Sequence, residues 1–259
     1  MELFAMRILL ALVSVSFLIA SSPVRAEEAP APEPVYNVLI VTNDRGFDRV
    51  NFFRMFDEMP NVRYDTAVLM QDMDMLAPGL EKKYDIIISF DYNRSPDVTD
   101  EQRANFAKLI ESGMPIIIKH HSLCGYRTWP LYREIVGGRY LHEAMEIDGR
   151  LRPASGYKYN LDIPIEIVDR AHPITRGIEN FVIRDEGYSN LYIREGIEVI
   201  LRTNHPDVTP EVAWINRYGK GIVFAIALGH DRHAFNNPNL RQILHQAIRW
   251  SIEESRKNR

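Results

Sequence analysis

Eight histidines are spread over 259 residues, and four of them follow just two apolar runs. His120 and His121 come after Met114–Lys119. His230 and His233, with Asp231 between them, come after Ile222–Leu228. Neutral imidazoles and carboxylates are ligands for Zn²⁺ and Mn²⁺. The same groups act as general acids and bases near neutral pH. His120, His121, His230, Asp231 and His233 are therefore the candidate ligands of a divalent metal, Zn or Mn, and no nucleotide cofactor is expected. A regular strand points successive side chains to opposite faces. One of His120 and His121 is thus expected at the site and the other packed elsewhere. Asp185 and Glu186 are paired carboxylates suited to acid–base work or metal binding, with a solvated loop as the alternative. Cys124 is the only cysteine and lacks a small-x-Cys-x-small elbow, so it reads as a buried small apolar residue and not a nucleophile. His142, His205 and His245 read as structural, and His172-Pro173 as a turn.

The elements that must position these residues are legible in the apolar pattern. Continuous apolar runs at Val35–Val41, Tyr84–Phe90 and Met114–Lys119 predict strands buried on both faces, as in a parallel sheet. Val62–Leu69 suits another strand. A helix is expected over Val50–Met59, stopping before Pro60. Thr99 with Gln102 predicts a capping box opening a helix that Gly113 ends. Trp129-Pro130 opens a short helix that Gly137-Gly138 closes. Ile163–Val168 and Ile197–Arg202 read as strands. Val212–Arg217 and Ile222–Leu228 flank Tyr218-Gly219-Lys220-Gly221 as a C-terminal β-hairpin, and Asn237-Pro238 starts the last helix. Strand alternating with helix predicts an α/β protein with a doubly wound, mostly parallel sheet and helices on both faces. In such sheets ligands gather beyond the carboxyl ends of the strands. Asn43 and Asp44 after the first strand, and Tyr92 after the third, then become candidate substrate contacts beside the histidines.

Apolar residues make up 46% and charged residues 25%, which excludes disordered and fibrous classes. The net charge of −4 carries no basic excess, so no nucleic-acid partner is expected. Arg7 precedes a 13-residue apolar run, Ile8–Ala20, too short to span a bilayer and the length of a signal-peptide core. Val24-Arg25-Ala26 supplies small residues at a cleavage site. Residues 1–26 are expected to be a signal peptide, 27–34 a Pro-rich tether and 35–255 one domain. The chain is then exported, periplasmic or secreted, without stable membrane insertion. A lone cysteine forms no internal disulfide.

Several blocks resemble the ThuA-like (trehalose utilisation) family. They are His120-His121-Ser122-Leu123, Trp129-Pro130, Glu134–Tyr140, His172–Gly177, Asp185-Glu186, Val212-Ala213-Trp214, Tyr218–Gly221 and Ala227–Asp231, in the family's order. The stretch His142–Tyr159 shows none of the family's usual block. The resemblance implies a flavodoxin-like fold similar to the class I glutamine amidotransferases. There the nucleophilic Cys directly follows the strand matching Met114–Lys119, where this chain has His120 and His121, so glutamine hydrolysis is not expected. The catalytic His of those enzymes matches His230. The family's association with trehalose and 3-keto disaccharides implies a small-molecule sugar substrate. It casts His121, His230 and Glu186 as catalytic groups, with Asp231 and Glu186 as ligands or orienting groups. Asn43, Asp44, Tyr92 and Trp129 are then the substrate contacts. The rival reading is a non-catalytic carbohydrate-binding protein in which Tyr92, Tyr126, Trp129 and Tyr188 stack on sugars.

Overall fold

The computed structural model describes residues 34–43, 46–69, 71–92 and 98–258. The segments expected to be a signal peptide and, nearly all of it, a tether lie outside the described residues, as does Asp44. Five strands run parallel: β1 (Tyr36–Thr42), β2 (Val62–Val68), β3 (Ile86–Phe90), β4 (Ile116–Lys119) and, far along the chain, β13 (Gly221–Ile226). They stand in the order β2-β1-β3-β4-β13. Every residue of β3, β4 and β13 is buried, which accounts for their uninterrupted apolar character.

The two faces of this sheet form two cores. Val38, Ile40, Ile88 and Phe224 pack beneath α1 (Arg49–Asp57) and α5 (Pro238–Asn258). Leu39, Val41, Ile87, Ile118 and Ala225 pack beneath α2 (Asp100–Glu111) and α3 (Pro130–Val136). Alternation along each strand divides its residues between the two layers. Helix starts follow local chemistry. Thr99 Oγ1 accepts from Gln102 N at 3.2 Å while Gln102 Oε1 accepts from Thr99 N at 3.0 Å, completing the capping box. Asn237 Oδ1 accepts from Leu240 N at 3.1 Å and caps α5. Gly137, at φ +74°, ends α3 in the left-handed region.

The second half extends the sheet with antiparallel strands. Between β4 and this extension lie β5 (Gly138–Arg139), β6 (Met145–Ile147) and β7 (Arg150–Arg152); β6 and β7 form a small hairpin. Next come β8 (Gly156–Ile167), β9 (Phe181–Ser189), β10 (Tyr192–Ile193, paired with β5), β11 (Glu198–Arg202) and β12 (Glu211–Tyr218). The full order is β2-β1-β3-β4-β13-β12-β11-β8-β9. β8 touches β11 only at Glu166 and Ile167, so most of β8 and β9 forms a separate two-stranded ribbon. Short helix α4 (Arg232–Phe235) follows the loop after β13. No helix among the described residues is long and apolar enough to cross a membrane.

Candidate functional site

β4 and β13 end level with one another, Lys119 beside Ile226. Their next residues therefore emerge together at the carboxyl edge of the sheet, as the topology demands. His120 is fully buried, and its Nδ1 lies 2.7 Å from the Ala227 carbonyl. A carbonyl only accepts, so Nδ1 carries the hydrogen. Burial, then the neighbouring His230, hold the His120 imidazole well below its ordinary pKa, so the ring is neutral. Its Nε2 is then an acceptor. Tyr188, whose hydroxyl burial keeps protonated, donates to it at 3.0 Å and stacks on the ring at 4.5 Å.

The same Nε2 faces Glu186 Oε2 at 2.9 Å, and His230 Nε2 lies 3.3 Å from that oxygen. The rings of His121 and His230 are 5.2 Å apart. Donor atoms of His120, His121, Glu186 and His230 all lie within 4.8 Å of one another. The acceptor His120 Nε2 and the Glu186 carboxylate are thus neighbours, and a divalent ion held beside them would be attracted to both. Three imidazoles and one carboxylate are the donor set of Zn²⁺ or Mn²⁺, so the residues present fit a divalent ion.

Both members of the His120-His121 pair join this group, against the expectation that one packs elsewhere. The reason is local: β4 stops at Lys119, and residues 120–124 turn as a 3₁₀ helix with His120 at φ +41°. Strand alternation no longer applies there. Glu186 joins from β9, inside the β8–β9 ribbon, and not from a solvated loop; it is 5% exposed.

Directly beneath lies a second set of buried polar groups. Asp185 accepts backbone N–H bonds from Gly229 at 2.5 Å, His230 at 2.9 Å and Glu186 at 2.9 Å. Lys119 Nζ donates to the Gly229 carbonyl at 2.6 Å and sits 4.5 Å from the Phe90 ring centre and 4.8 Å from that of Phe235. Burial pushes Asp185 up and Lys119 down; the peptide N–H donors on Asp185 and the charge of each on the other oppose that push, and both groups end at about 7. The Gly229 peptide is gripped from both sides, and this fixes the backbone from which His230 projects. Gly229 itself sits at φ +101°, and a Cβ there would meet Lys119 Cε at 2.8 Å.

The remaining sequence-derived candidates divide. Tyr92 borders the group, its ring 6.3 Å from that of His121, and Asn43 Nδ2 donates to the Tyr92 carbonyl at 3.1 Å. Asp231 caps α4, accepting from His233 N at 2.8 Å, and His233 is exposed; neither enters the four-donor group. A carboxylate used as an N-cap is directed at its own helix. Trp129 and Tyr126 are buried in the core beneath α2 and α3, 5.6 Å apart, with Phe106 5.9 Å from Trp129. They are core packing and not surfaces for substrate, because Pro130 starts a helix that lies on the sheet. Cys124 is buried and its thiol bonds Tyr188. His142 Nε2 donates to the Cys124 carbonyl at 2.8 Å, with its ring 6.2 Å from Tyr92. Lys119, Asp185 and Tyr159 are site residues that the sequence reading did not single out alone; Asp185 entered only with Glu186.

Fold and site together define a flavodoxin-like α/β protein with a buried three-histidine, one-glutamate group at the carboxyl edge of its sheet. The family model described as "Trehalose utilisation" matches residues 37–251, and the chain belongs to this ThuA family, with a role in carbohydrate utilisation. Solved structures share the fold. A ThuA-like protein from Parabacteroides merdae superposes with a TM-score of 0.69 at 16% identity, covering 85% of this chain and 90% of that one. A ThuA-like protein from Bacteroides uniformis gives 0.63 at 18% identity, covering 86% and 95%. A cytoplasmic protein from Salmonella typhimurium gives 0.55 at 14%, covering 83% and 98%. No curated protein matches the chain in sequence.

Proposed function

We propose that this ThuA protein acts on a sugar, trehalose or a related 3-keto disaccharide, through the group formed by His120, His121, Glu186 and His230. The observation that carries the reading is the convergence of these four donors within 4.8 Å at the carboxyl edge of the sheet. A divalent ion held there, Zn or Mn, would supply Lewis-acid stabilisation of negative charge on a carbonyl oxygen. His121 and His230 are the chain's candidates for moving protons, the role falling to the one that an ion held by the other imidazoles and Glu186 would leave unligated. In a 3-keto sugar the C–H bond beside the ketone is acidified. An imidazole takes that proton, and the C–H electron pair enters a new C=C bond as the enolate forms. The glycosidic C–O bond one carbon further then breaks, and the departing oxygen takes a proton. Hydrolysis of the same bond, with water added, is the alternative outcome of the same site. Glu186, within reach of both His120 and His230, orients the two rings.

The signal-peptide pattern supports export, with N-terminal sequencing of the mature protein expected to begin near Glu27. The functional test is turnover of a panel of native and 3-keto disaccharides, with and without chelator. Chelator-sensitive cleavage of one member supports the reading. Tight sugar binding with no turnover under any condition supports the carbohydrate-binding alternative and overturns the enzymatic one.

A further inference from the structure

The β8–β9 ribbon carries two large aromatic side chains that the fold does not bury: Tyr157 is 54% exposed and Tyr159 is 53% exposed. Scattered exposed aromatics need no explanation, but these two touch each other, and Tyr159 touches the donor group. Their ring centres are 5.3 Å apart, and that of Tyr159 is 5.2 Å from that of His230.

Their placement is produced by a break in register. From Ile165 back to Leu161, β8 pairs with β9 in regular steps, Ile163 opposite Ile183 and Leu161 opposite Asp185. Ile163 and Ile183 face the core beneath α1 and α5. Continued unbroken, that alternation would set Tyr159 and Tyr157 on the same face. Pairing resumes instead at Lys158 opposite Gly187. Tyr159 and Asn160 therefore stand opposite the single residue Glu186, a β-bulge, with Asn160 at φ +58°. One extra residue exchanges the faces of everything beyond it. Tyr157 now pairs with Tyr188, the tyrosine that bonds and stacks on His120. The bulge thus transfers the tyrosines from the core face to the site face, with Tyr159 opposite Glu186 of the donor group and Tyr157 opposite Tyr188.

We propose that Tyr159 and Tyr157 form an aromatic subsite for the sugar unit next to the one held at the four donors. The C–H face of a pyranose is apolar and its rim polar, and an amphipathic half-exposed tyrosine matches both. The two rings meet at 67° and so wall that one sugar unit on two sides, which favours a bent disaccharide over a flat, extended one. The inference rests on the sugar-directed reading of the site.

The test is calorimetric titration of the intact chain with trehalose and with glucose, for wild type, Tyr157→Ala, Tyr159→Ala and Tyr159→Phe, with metal content measured in each. Wild type is expected to bind trehalose more tightly than glucose. Tyr157→Ala and Tyr159→Ala should each weaken trehalose binding about tenfold. Metal content should not change, Tyr159→Phe should retain affinity, and Tyr157→Ala should spare glucose. Wild-type binding of trehalose with unchanged affinity in both alanine variants overturns the subsite while leaving the sugar reading intact. Loss in Tyr159→Phe equal to that in Tyr159→Ala also overturns it, because the hydroxyl and not the ring face would then carry the contact. Wild type binding neither sugar overturns the reading of the site and the subsite with it.

Discussion

Lys119, Asp185 and Gly229 immediately precede His120, Glu186 and His230 in the chain, yet the two sets live in different surroundings. The first set is closed on itself: a cation, a carboxylate and the peptide between them, all inside the core and bonded to one another. The second set converges on one oxygen: His120 Nε2 and His230 Nε2 lie 2.9 and 3.3 Å from Glu186 Oε2, while His230 Nδ1 is buried without a hydrogen-bond partner among the described residues. The contrast separates two tasks. The lower layer fixes three backbone segments, and the upper layer brings four donor atoms within 4.8 Å of one another.

Breaking the lower layer should have the largest effect. Lys119→Met removes the donor to the buried Gly229 carbonyl and the charge that favours the Asp185 carboxylate, a change that costs about 1–3 kcal/mol. Urea denaturation should show it as a lower midpoint. Gly229→Ala forces a Cβ against Lys119 in a left-handed conformation, and its strain should cost about 1–3 kcal/mol by the same assay. A wild-type midpoint in either variant would mean that the buried pair does not hold the edge.

The upper layer has a pH signature. His120 has its folded-state pKa held well below the unfolded value of about 6.5. Above that value both states carry a neutral ring. Below it the unfolded chain binds a proton that the folded one refuses, so stability falls as pH falls. Metal-free protein should lose up to about 1.4 kcal/mol per pH unit from this residue on acidification below pH 6.5. His120→Asn should flatten that slope, and an unchanged slope would remove His120 as its source.

The parallel half of the sheet was legible because β1, β3 and β4 are buried on both faces and read as unbroken apolar runs. His120, His121 and His230 were legible as a site because they directly follow such runs. β9 was not recognised as a strand through Ser189. Its interior holds Arg184, Asp185, Glu186 and Gly187, and the partners that make a buried Asp185 tolerable, Lys119 and the Gly229 peptide, are remote in sequence. The bulge at Tyr159 was likewise hidden, since register is a property of two strands together. Trp129 misled for the opposite reason: an aromatic at a helix start looks available until the helix is packed on its sheet.

The smallest effect is expected at Cys124. It is buried beside Tyr188 but outside the four-donor group. Cys124→Ala should cost about 1 kcal/mol and keep sugar turnover. Complete loss of turnover with an intact fold would make the thiol part of the chemistry.

The central proposal is that the upper layer is one metal site. Elemental analysis after reconstitution with Zn²⁺ or Mn²⁺, followed by gel filtration, tests it directly in wild type, Glu186→Gln, His230→Ala and His233→Ala. The account predicts stoichiometric metal in wild type and His233→Ala, and its loss in Glu186→Gln and His230→Ala with little change in melting temperature. Metal absent from wild type, or retained equally by all four proteins, would contradict it.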